Sequence, residues 1–181
     1  KGSTREDFIA SAFYAHSTEL LIKAGHVLGK DMADYEALYE KIIAAFRAAF
    51  PTYGTQSECV LAAHFHLAEH PQSAADQLAK MVKKAGNQLQ TGFVGTPYLL
   101  HVLSDYGYAE LAYTLLLRKE YPSWLYPVTK GATTIWEHWD GIMENGGFWS
   151  ADMNSFNHYA YGSVADWVYQ KAAGIHTAEE K

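Results

Sequence analysis

The sequence predicts an all-α fold. Apolar residues recur at steps of three and four along most of the chain, and no segment alternates apolar and polar residues as a half-buried strand does. The periodic segments are about ten to twenty residues long and are joined by short links, as in helical hairpins. With 181 residues, 49% hydrophobic and 19% charged, the chain has the composition of a single domain covering residues 1–181.

The first half of the chain contains four predicted helices. They cover residues 6–28, 33–50, about 55–69 and 73–89. Pro51 and Pro71 follow the second and third of these segments, and proline interrupts a helix because it lacks an N–H donor. In the first segment the periodic apolar positions are Ile9, Phe13, Leu20, Ala24 and Val27.

The second half of the chain has shorter helices and longer connections. Helices are predicted from Pro97 onwards, over 109–117 and over 159–172, the last with Val164, Trp167 and Val168 facing inward. The links at 51–54, 91–97, 121–135 and 141–157 are rich in Gly, Pro and aromatic residues. Because binding residues concentrate on loops held by a rigid scaffold, we expect the functional site in these links.

Charge and hydropathy exclude several classes of partner. The formal net charge is −6 and there is no long basic run, so we predict no nucleic-acid partner and no anionic membrane partner. No apolar run approaches the roughly 18 residues of a membrane span. Cys59 is the single cysteine, which excludes an internal disulfide.

The stretch HFHLAEH contains a pattern found in zinc peptidases. His66, Glu69 and His70 spell H-x-x-E-H, in which two imidazoles on one helical face bind zinc beside a glutamate. Pro71 follows at once and disfavours helical geometry at His70. A helix end with partly exposed histidines is the competing interpretation.

The stretch TGFVGTPYLL has two closely spaced glycines. Their spacing matches neither common phosphate-binding loop, and no Lys or Arg is near. We predict a tight turn that leads into a helix at Pro97.

The stretch GATTIWEHWDG places Glu137 between Trp136 and Trp139, with Asp140 close by. On a helix, Glu137 and Asp140 would share a face, and two carboxylates are the minimum for glycoside hydrolysis. Neighbouring acids also occur at helix starts simply because they suit the helix dipole. Tryptophan rings both pack cores and form the walls on which sugars stack, and beside a carboxylate they raise its pKa.

Three blocks of the chain together resemble one enzyme family. T-G-F-V-G-T-P, T-T-I-W-E and N-S-F-N-H-Y-A-Y-G occur in this order, and YGTQSECVLA fits more loosely. In these blocks the chain resembles the bacterial α-L-rhamnosidases of glycoside hydrolase family seventy-eight over nearly its whole length.

The resemblance implies a fold, a reaction and a set of site residues. The fold would be part of an (α/α)6 barrel, and the reaction would be the hydrolysis of terminal α-L-rhamnosides with inversion. Glu137 would be the general base, His158 would reach the hydroxyls of the sugar, and Trp124 and Trp136 would be pocket walls, although either ring could belong to the core. The family often has arginine where this chain has His138. No cofactor or metal is predicted.

The resemblance also implies an incomplete site. Asp140 lies too close to Glu137 along the chain to act from the opposite side of a sugar, and the family's acidic block that supplies the general acid has no match here. We therefore expect a C-terminal part of a catalytic domain, truncated at both ends and weak or inactive alone. Its exposed barrel face could self-associate. The compartment is undetermined, with the periplasm, the exterior and the cytoplasm all compatible.

Two other functional classes stay open at this point. The chain could be a non-catalytic helical module that binds carbohydrate or another partner. It could instead be a zinc hydrolase acting through His66, Glu69 and His70.

Overall fold

Helical hairpins form the regular structure of the chain. The computed structural model describes residues 4–175, and the elements in this range are helical, which confirms the all-α prediction. The helices are α1 (Glu6–Val27), α2 (Ala33–Ala49), α3 (Gln56–His64), α4 (Pro71–Lys84), α5 (Thr96–Asp105), α6 (Ala109–Leu117), α7 (Leu125–Thr129) and α8 (Val164–Trp167). A 3₁₀ turn, Ala160–Ser163, precedes α8, and a π-helical turn, Val168–Ala172, follows it.

The hairpins stack side by side in two rows. α1 packs on α2, α3 on α4 and α5 on α6, while α3 also contacts both α1 and α5. The first helices of the three hairpins therefore form one row, and each is backed by its second helix. Because α3 has neighbours on several sides, its residues from Gln56 to Ala63 are all buried.

The start of α3 is held by a capping box. The Thr55 hydroxyl accepts a hydrogen bond from the Glu58 N–H, and the Glu58 carboxylate accepts one from the Thr55 N–H. The same carboxylate also accepts from the Gly54 N–H at 2.6 Å. These bonds satisfy donors that a helix start otherwise leaves unpaired.

The face of α1 that enters the core agrees only in part with the predicted periodic positions. Phe8, Ala12 and Ala15 are buried, and the Phe8 ring lies 5.0 Å from those of Phe46 and Phe50. Of the predicted positions, Ile9 and Phe13 pack against this core, whereas Leu20 and Val27 are 50% and 75% exposed. The helix is apolar on more than one side, so periodicity alone did not identify its whole buried face.

Helices α3 and α4 are both shorter at their C-terminal ends than predicted. α3 ends at His64 because the chain turns at His66, whose φ is +56°. α4 begins at Pro71, where a missing N–H costs nothing, and ends at Lys84. Gly86 and Asn87 follow with φ of +71° and +57°, a left-handed geometry that terminates helices.

The C-terminal helical segment confirms the inward position of Trp167 but not that of Val168. Trp167 is buried, and its indole N–H donates to the Ser104 hydroxyl at 2.9 Å. Val164 packs against the core, whereas Val168 is 39% exposed. The π-helical turn that begins at Val168 changes the angular step between residues, so the predicted register ends there.

The link 121–135 contains α7, which the sequence did not predict. The Ser123 hydroxyl accepts the Tyr126 N–H at 3.1 Å and so supports its first turn. Within residues 4–175, no helix is both long enough and apolar enough to cross a bilayer.

Candidate functional site

Two extended stretches, residues 134–137 and 155–158, place Glu137 and His158 on neighbouring segments of backbone. The Glu137 N–H donates to the Ser155 carbonyl at 2.9 Å, and the His158 N–H donates to the Ile135 carbonyl at 2.8 Å. The Thr134 hydroxyl also donates to the Phe156 carbonyl. These bonds run in antiparallel sense and place two predicted site residues on neighbouring backbone stretches, although they are distant in sequence.

The segment around Glu137 is not helical, contrary to the helical placement that would put Glu137 and Asp140 on one face. The chain instead folds back on itself beyond Asp140, where an antiparallel bridge pairs Ile142 with Phe148. Gly141 lies at the start of this fold. A Cβ atom there would lie 3.1 Å from the Phe156 ring and 3.2 Å from the Trp136 ring. Glycine therefore permits the close packing of the two stretches.

A cluster of aromatic rings includes Trp139, two residues after Glu137. Trp139 and Tyr161 are stacked, with ring centroids 3.7 Å apart and planes at 15°. Trp124 meets Trp139 edge to face at 5.3 Å, and its indole N–H donates to the Tyr161 carbonyl at 2.9 Å. These contacts link the 3₁₀ turn, α7 and the Glu137 segment into one support.

The two tryptophans predicted as pocket walls are both buried. Trp124 is 8% exposed and Trp136 is 5% exposed, the latter packed edge to face on Phe156. Both rings line a cavity of about 40 Å³ whose boundary also includes Thr134 and Ile135. In this structure the tryptophans contact the core and this small cavity.

The Glu137 side chain is half-buried, and its charge reaches the aromatic cluster. Burial raises the pKa of the Tyr161 hydroxyl to about 12, with smaller contributions from Tyr121 and Glu137. The charge of Asp140 instead acts on Tyr121 and Tyr126, whose pKa values are raised mainly by burial. Of these two carboxylates, Glu137 is the one whose charge acts on Tyr161.

His158 lies in a stack of three rings. The Phe93 ring stacks with the imidazole at a centroid distance of 5.1 Å and an interplanar angle of 17°. The Tyr159 ring stacks with it at 5.6 Å and 6°. The His158 Nδ1 accepts a hydrogen bond from the Ala160 N–H at 3.3 Å. In the neutral ring the proton is therefore on Nε2, which leaves that nitrogen as a donor.

An open groove of about 610 Å³ adjoins this stack. Its lining comes from both extended stretches and from the 3₁₀ turn, and consists of Thr134, Ile135, Asn157, His158, Tyr159 and Gly162. Thr134 and Ile135 line both the groove and the smaller cavity, so they lie between the groove and the cavity that the buried tryptophans line. The groove offers hydroxyl, amide and imidazole groups beside apolar surface, a combination that suits a sugar.

The glycine-rich loop positions Phe93 next to the groove. As predicted, it forms a tight turn into a helix, with Pro97 in the first turn of α5. The hydroxyls of Thr91 and Thr96 are 2.8 Å apart across the loop, and the Thr96 N–H donates to the Gly92 carbonyl at 2.9 Å. Phe93 itself is 42% exposed at the tip of the turn.

The zinc-peptidase pattern does not form a metal site. α3 ends before His66, and His66, Glu69 and His70 are all exposed, so the two imidazoles do not share a helical face. Within residues 4–175, no group of three or more His, Cys, Asp or Glu side chains could hold a metal ion. The zinc-hydrolase alternative is therefore wrong, and the helix-end interpretation is confirmed.

Phe93, Asn157 and Tyr161 were not predicted as site residues. Each lies inside a block that carried the family resemblance, which is the one signal that could have identified them. Phe93 and Tyr161 take part through ring contacts between segments far apart in the chain, and Asn157 through its place in the groove lining, neither of which a local sequence pattern encodes.

Comparison with known proteins decides the family. The model for the bacterial alpha-L-rhamnosidase 6 hairpin glycosidase domain matches residues 1–172. The chain belongs to this family. The predicted resemblance is confirmed, and the helical hairpins described above form part of a six-hairpin glycosidase domain.

Curated relatives of this rhamnosidase-family chain are bacterial. An alpha-L-rhamnosidase of Streptomyces avermitilis is 45% identical over an alignment of 180 positions, which covers 95% of this chain and 18% of the relative. An alpha-L-rhamnosidase of Formosa agariphila is 44% identical over an alignment of 186 positions, which covers 97% of this chain and 20% of the relative. The chain thus spans about a fifth of the length of these relatives.

Solved rhamnosidase structures share the fold of the chain. The crystal structure of the Streptomyces avermitilis α-L-rhamnosidase complexed with L-rhamnose matches with a TM-score of 0.93 and 43% identity, covering 97% of this chain and 18% of that one. The native α-L-rhamnosidase of Aspergillus terreus also matches with a TM-score of 0.93, at 36% identity, covering 99% and 22%.

Proposed function

We propose that the chain supplies the general-base half of a site that hydrolyses terminal α-L-rhamnosides with inversion. The observation that carries this proposal is the placement of Glu137 and His158 on hydrogen-bonded neighbouring stretches beside an open groove, in a chain of the rhamnosidase family. The substrate would be a rhamnose-containing glycoside or polysaccharide. A Streptomyces avermitilis relative whose structure is complexed with L-rhamnose supports that choice.

The proposed role of Glu137 is to activate water. Its carboxylate would take a proton from a water molecule as that water attacks the anomeric carbon on the face opposite the leaving group. The half-buried position of Glu137 limits its contact with bulk water. Partial burial favours a carboxylate that must accept a proton near neutral pH.

The remaining predicted residues would bind the sugar. The Nε2–H of His158 would donate to a hydroxyl of the rhamnose, because Nδ1 is already occupied by the Ala160 N–H. Trp124 and Trp136 would serve as walls from beneath the groove, where Thr134 and Ile135 separate them from its lumen.

The general acid is proposed to lie outside residues 1–181. Inverting glycosidases separate their two carboxyl groups by about 6.5 to 9.5 Å across the sugar. The chain would accordingly be a C-terminal part of a larger catalytic domain, weak or inactive alone, and the activity would belong to the whole protein. Its α1 face, with Leu20, Leu21, Val27 and Leu28 exposed, is a candidate for self-association with a second copy.

The test is hydrolysis of 4-nitrophenyl α-L-rhamnopyranoside, whose leaving group needs little help from an acid. In the whole protein that contains this chain, Glu137→Gln should lower the rate by about 10² to 10⁴-fold, whereas Glu144→Gln, the same charge change at an exposed site, should have little effect. Proton NMR of the first sugar released should show the β anomer. Equal, measurable turnover by the whole protein and by its Glu137→Gln variant, or release of the α anomer, would contradict the proposal.

A non-catalytic carbohydrate-binding role is the second candidate. It is favoured by a groove that has an imidazole, an amide and a hydroxyl in its lining but no carboxylate. L-rhamnose binding that is unchanged in Glu137→Gln, with no hydrolysis by any longer protein containing this chain, would support this role over catalysis.

A further inference from the structure

The stack at His158 joins two parts of the chain that are far apart in sequence. Phe93 comes from the turn before α5, whereas His158 comes from the extended stretch before the 3₁₀ turn. Their rings are nearly parallel, at 17°, with centroids 5.1 Å apart. Phe93 also contacts Tyr161 at 5.1 Å, so one ring connects His158 to the aromatic cluster that includes Trp139.

The two rings that flank His158 differ in how firmly they are held. Tyr159 is adjacent in sequence and 89% exposed, so it can rotate away into solvent. Phe93 is fixed by a loop whose threonine hydroxyls are 2.8 Å apart and whose Gly95 lies against α3. A Cβ atom at Gly95 would come within 2.8 Å of the Ser57 hydroxyl, which shows how closely the loop is packed.

The orientation of the His158 imidazole determines which ring atom is available to a ligand in the groove. In the observed orientation Nδ1 accepts the Ala160 N–H, and Nε2 is the remaining donor. A half-turn of the ring would place a carbon against the Ala160 N–H and lose that bond. The Ala160 N–H thus selects the observed orientation over the half-turned one, which lies in the same plane. The flat Phe93 ring opposes tilting of the imidazole out of this plane, which would break the bond.

We propose that Phe93 is a positioning residue that holds the His158 imidazole so that its Nε2–H faces the groove. This inference rests on the proposed function in assigning a sugar hydroxyl as the acceptor. Phe93 acts through His158 and is not itself a catalytic residue.

The first test reads the tautomer of His158 without any sugar. Long-range ¹H–¹⁵N NMR of the full chain above about pH 8, where an ordinary imidazole is neutral, should show a single Nε2–H form for His158. Phe93→Leu should produce a mixture of tautomers, and Phe93→Tyr, which keeps the ring, should restore the single form. Phe148→Leu is the control, because Phe148 is 60% exposed and its ring packs against Phe156 rather than against His158.

The second test reads the binding of L-rhamnose. Phe93→Leu should weaken the Kd for L-rhamnose by about two- to tenfold, the range expected for one aromatic contact, while Phe93→Tyr and Phe148→Leu stay close to wild type. In the hydrolysis assay the change should fall mainly on KM. A single Nε2–H tautomer in Phe93→Leu would overturn the positioning role.

The two proposals can fail separately. If the wild-type chain shows the single tautomer and Phe93→Leu does not, but L-rhamnose does not bind, the positioning role stands and the sugar assignment falls. A wild-type measurement guards against a variant that does not fold: NOEs between the Phe93 and His158 rings should be present, and their absence would overturn the inference.

Discussion

Tyr161 lies face to face on Trp139, with ring centroids 3.7 Å apart and planes at 15°. Through its carbonyl, which accepts the Trp124 indole N–H, Tyr161 also ties the C-terminal helical segment to α7. Tyr161 thus connects the C-terminal helical segment, the start of α7 and the segment that contains Glu137 and Trp139. It is therefore more than a packing residue of one helix.

Replacing Tyr161 should therefore affect both stability and the geometry at Glu137. Tyr161→Leu removes the stack and should lower the free energy of unfolding by about 1–3 kcal/mol, together with any rhamnosidase activity. Tyr161→Phe keeps the ring and should retain most of both. Urea unfolding and the nitrophenyl assay check this, with Tyr169→Leu as a control at a 62% exposed tyrosine. Equal stability in Tyr161→Leu and Tyr169→Leu would contradict the supporting role.

The capping box at α3 predicts a measurable loss when either partner is removed. Thr55→Ala leaves the Glu58 N–H without its acceptor and should lower the free energy of unfolding by about 1 kcal/mol. Glu58→Ala should cost more than Thr55→Ala because its buried carboxylate serves the N–H groups of both Gly54 and Thr55. Chemical denaturation measures both changes. Thr133→Ala, at an exposed site, should leave the free energy of unfolding unchanged. An equally large loss in Thr133→Ala would contradict the role of the capping box.

The histidines between α3 and α5 predict acid sensitivity. Burial lowers the pKa of His64 to about 4, and the nearby His101 and His16 add to the shift. The unfolded chain, with an ordinary imidazole, then binds a proton that the folded chain does not. Stability from this group is present above about pH 6.5 and is lost as the pH falls toward 4, by on the order of 3 kcal/mol.

His101 acts in the same direction. Burial lowers its pKa, although Asp166, whose carboxylate lies 2.9 Å from the His101 Nε2, opposes the shift. Thermal unfolding between about pH 4 and 7 should show the loss, and His64→Gln should reduce the pH dependence of Tm. His70→Asn, at an exposed residue that does not contribute to the pKa shift of His64, is the control and should leave that dependence intact. An unchanged slope in His64→Gln would show that other groups cause it.

The close approach at Gly141 predicts a steric penalty. Gly141→Ala would put a Cβ atom 3.1 Å from the Phe156 ring and 3.2 Å from the Trp136 ring, and should destabilise the chain by about 1–3 kcal/mol. A second substitution, Phe156→Leu, should cost less in Gly141→Ala than in the wild-type background. Gly54→Ala is a suitable control, because its nearest atom would be 3.6 Å away. Denaturation of the four chains in this double-mutant cycle tests the coupling, and strict additivity would exclude it.

Local patterns predicted the helices well and their ends less well. Periodicity located α1, α2 and α6, and proline marked where α2 stops. The ends of α3 and α4 depended on two residues with positive φ, His66 and Asn87. Positive φ is uncommon in residues other than glycine and is difficult to predict from the residue type. The buried face of α1 was predicted only in part, at Ile9 and Phe13, because a helix that is apolar on more than one side has no single apolar stripe.

The candidate site divides in a similar way. The sequence pointed to Glu137, His158, Trp124 and Trp136 through family blocks, but the structure showed how Glu137 and His158 come together across paired backbone stretches. It also showed both tryptophans buried, with the groove itself lined by other residues. No local pattern indicated Phe93 as the neighbour of His158, because that contact joins segments more than sixty residues apart.

The sequence by itself determined the all-α class, the family and the residues that carry the proposed chemistry. These depend on the apolar periodicity, on helix-breaking residues and on short sequence blocks that occur in a fixed order. Tertiary structure alone decided which faces are buried, where two helices end, and which rings surround Glu137 and His158. Those features arise from contacts between distant segments, and each is set by the packing of all its neighbours at once.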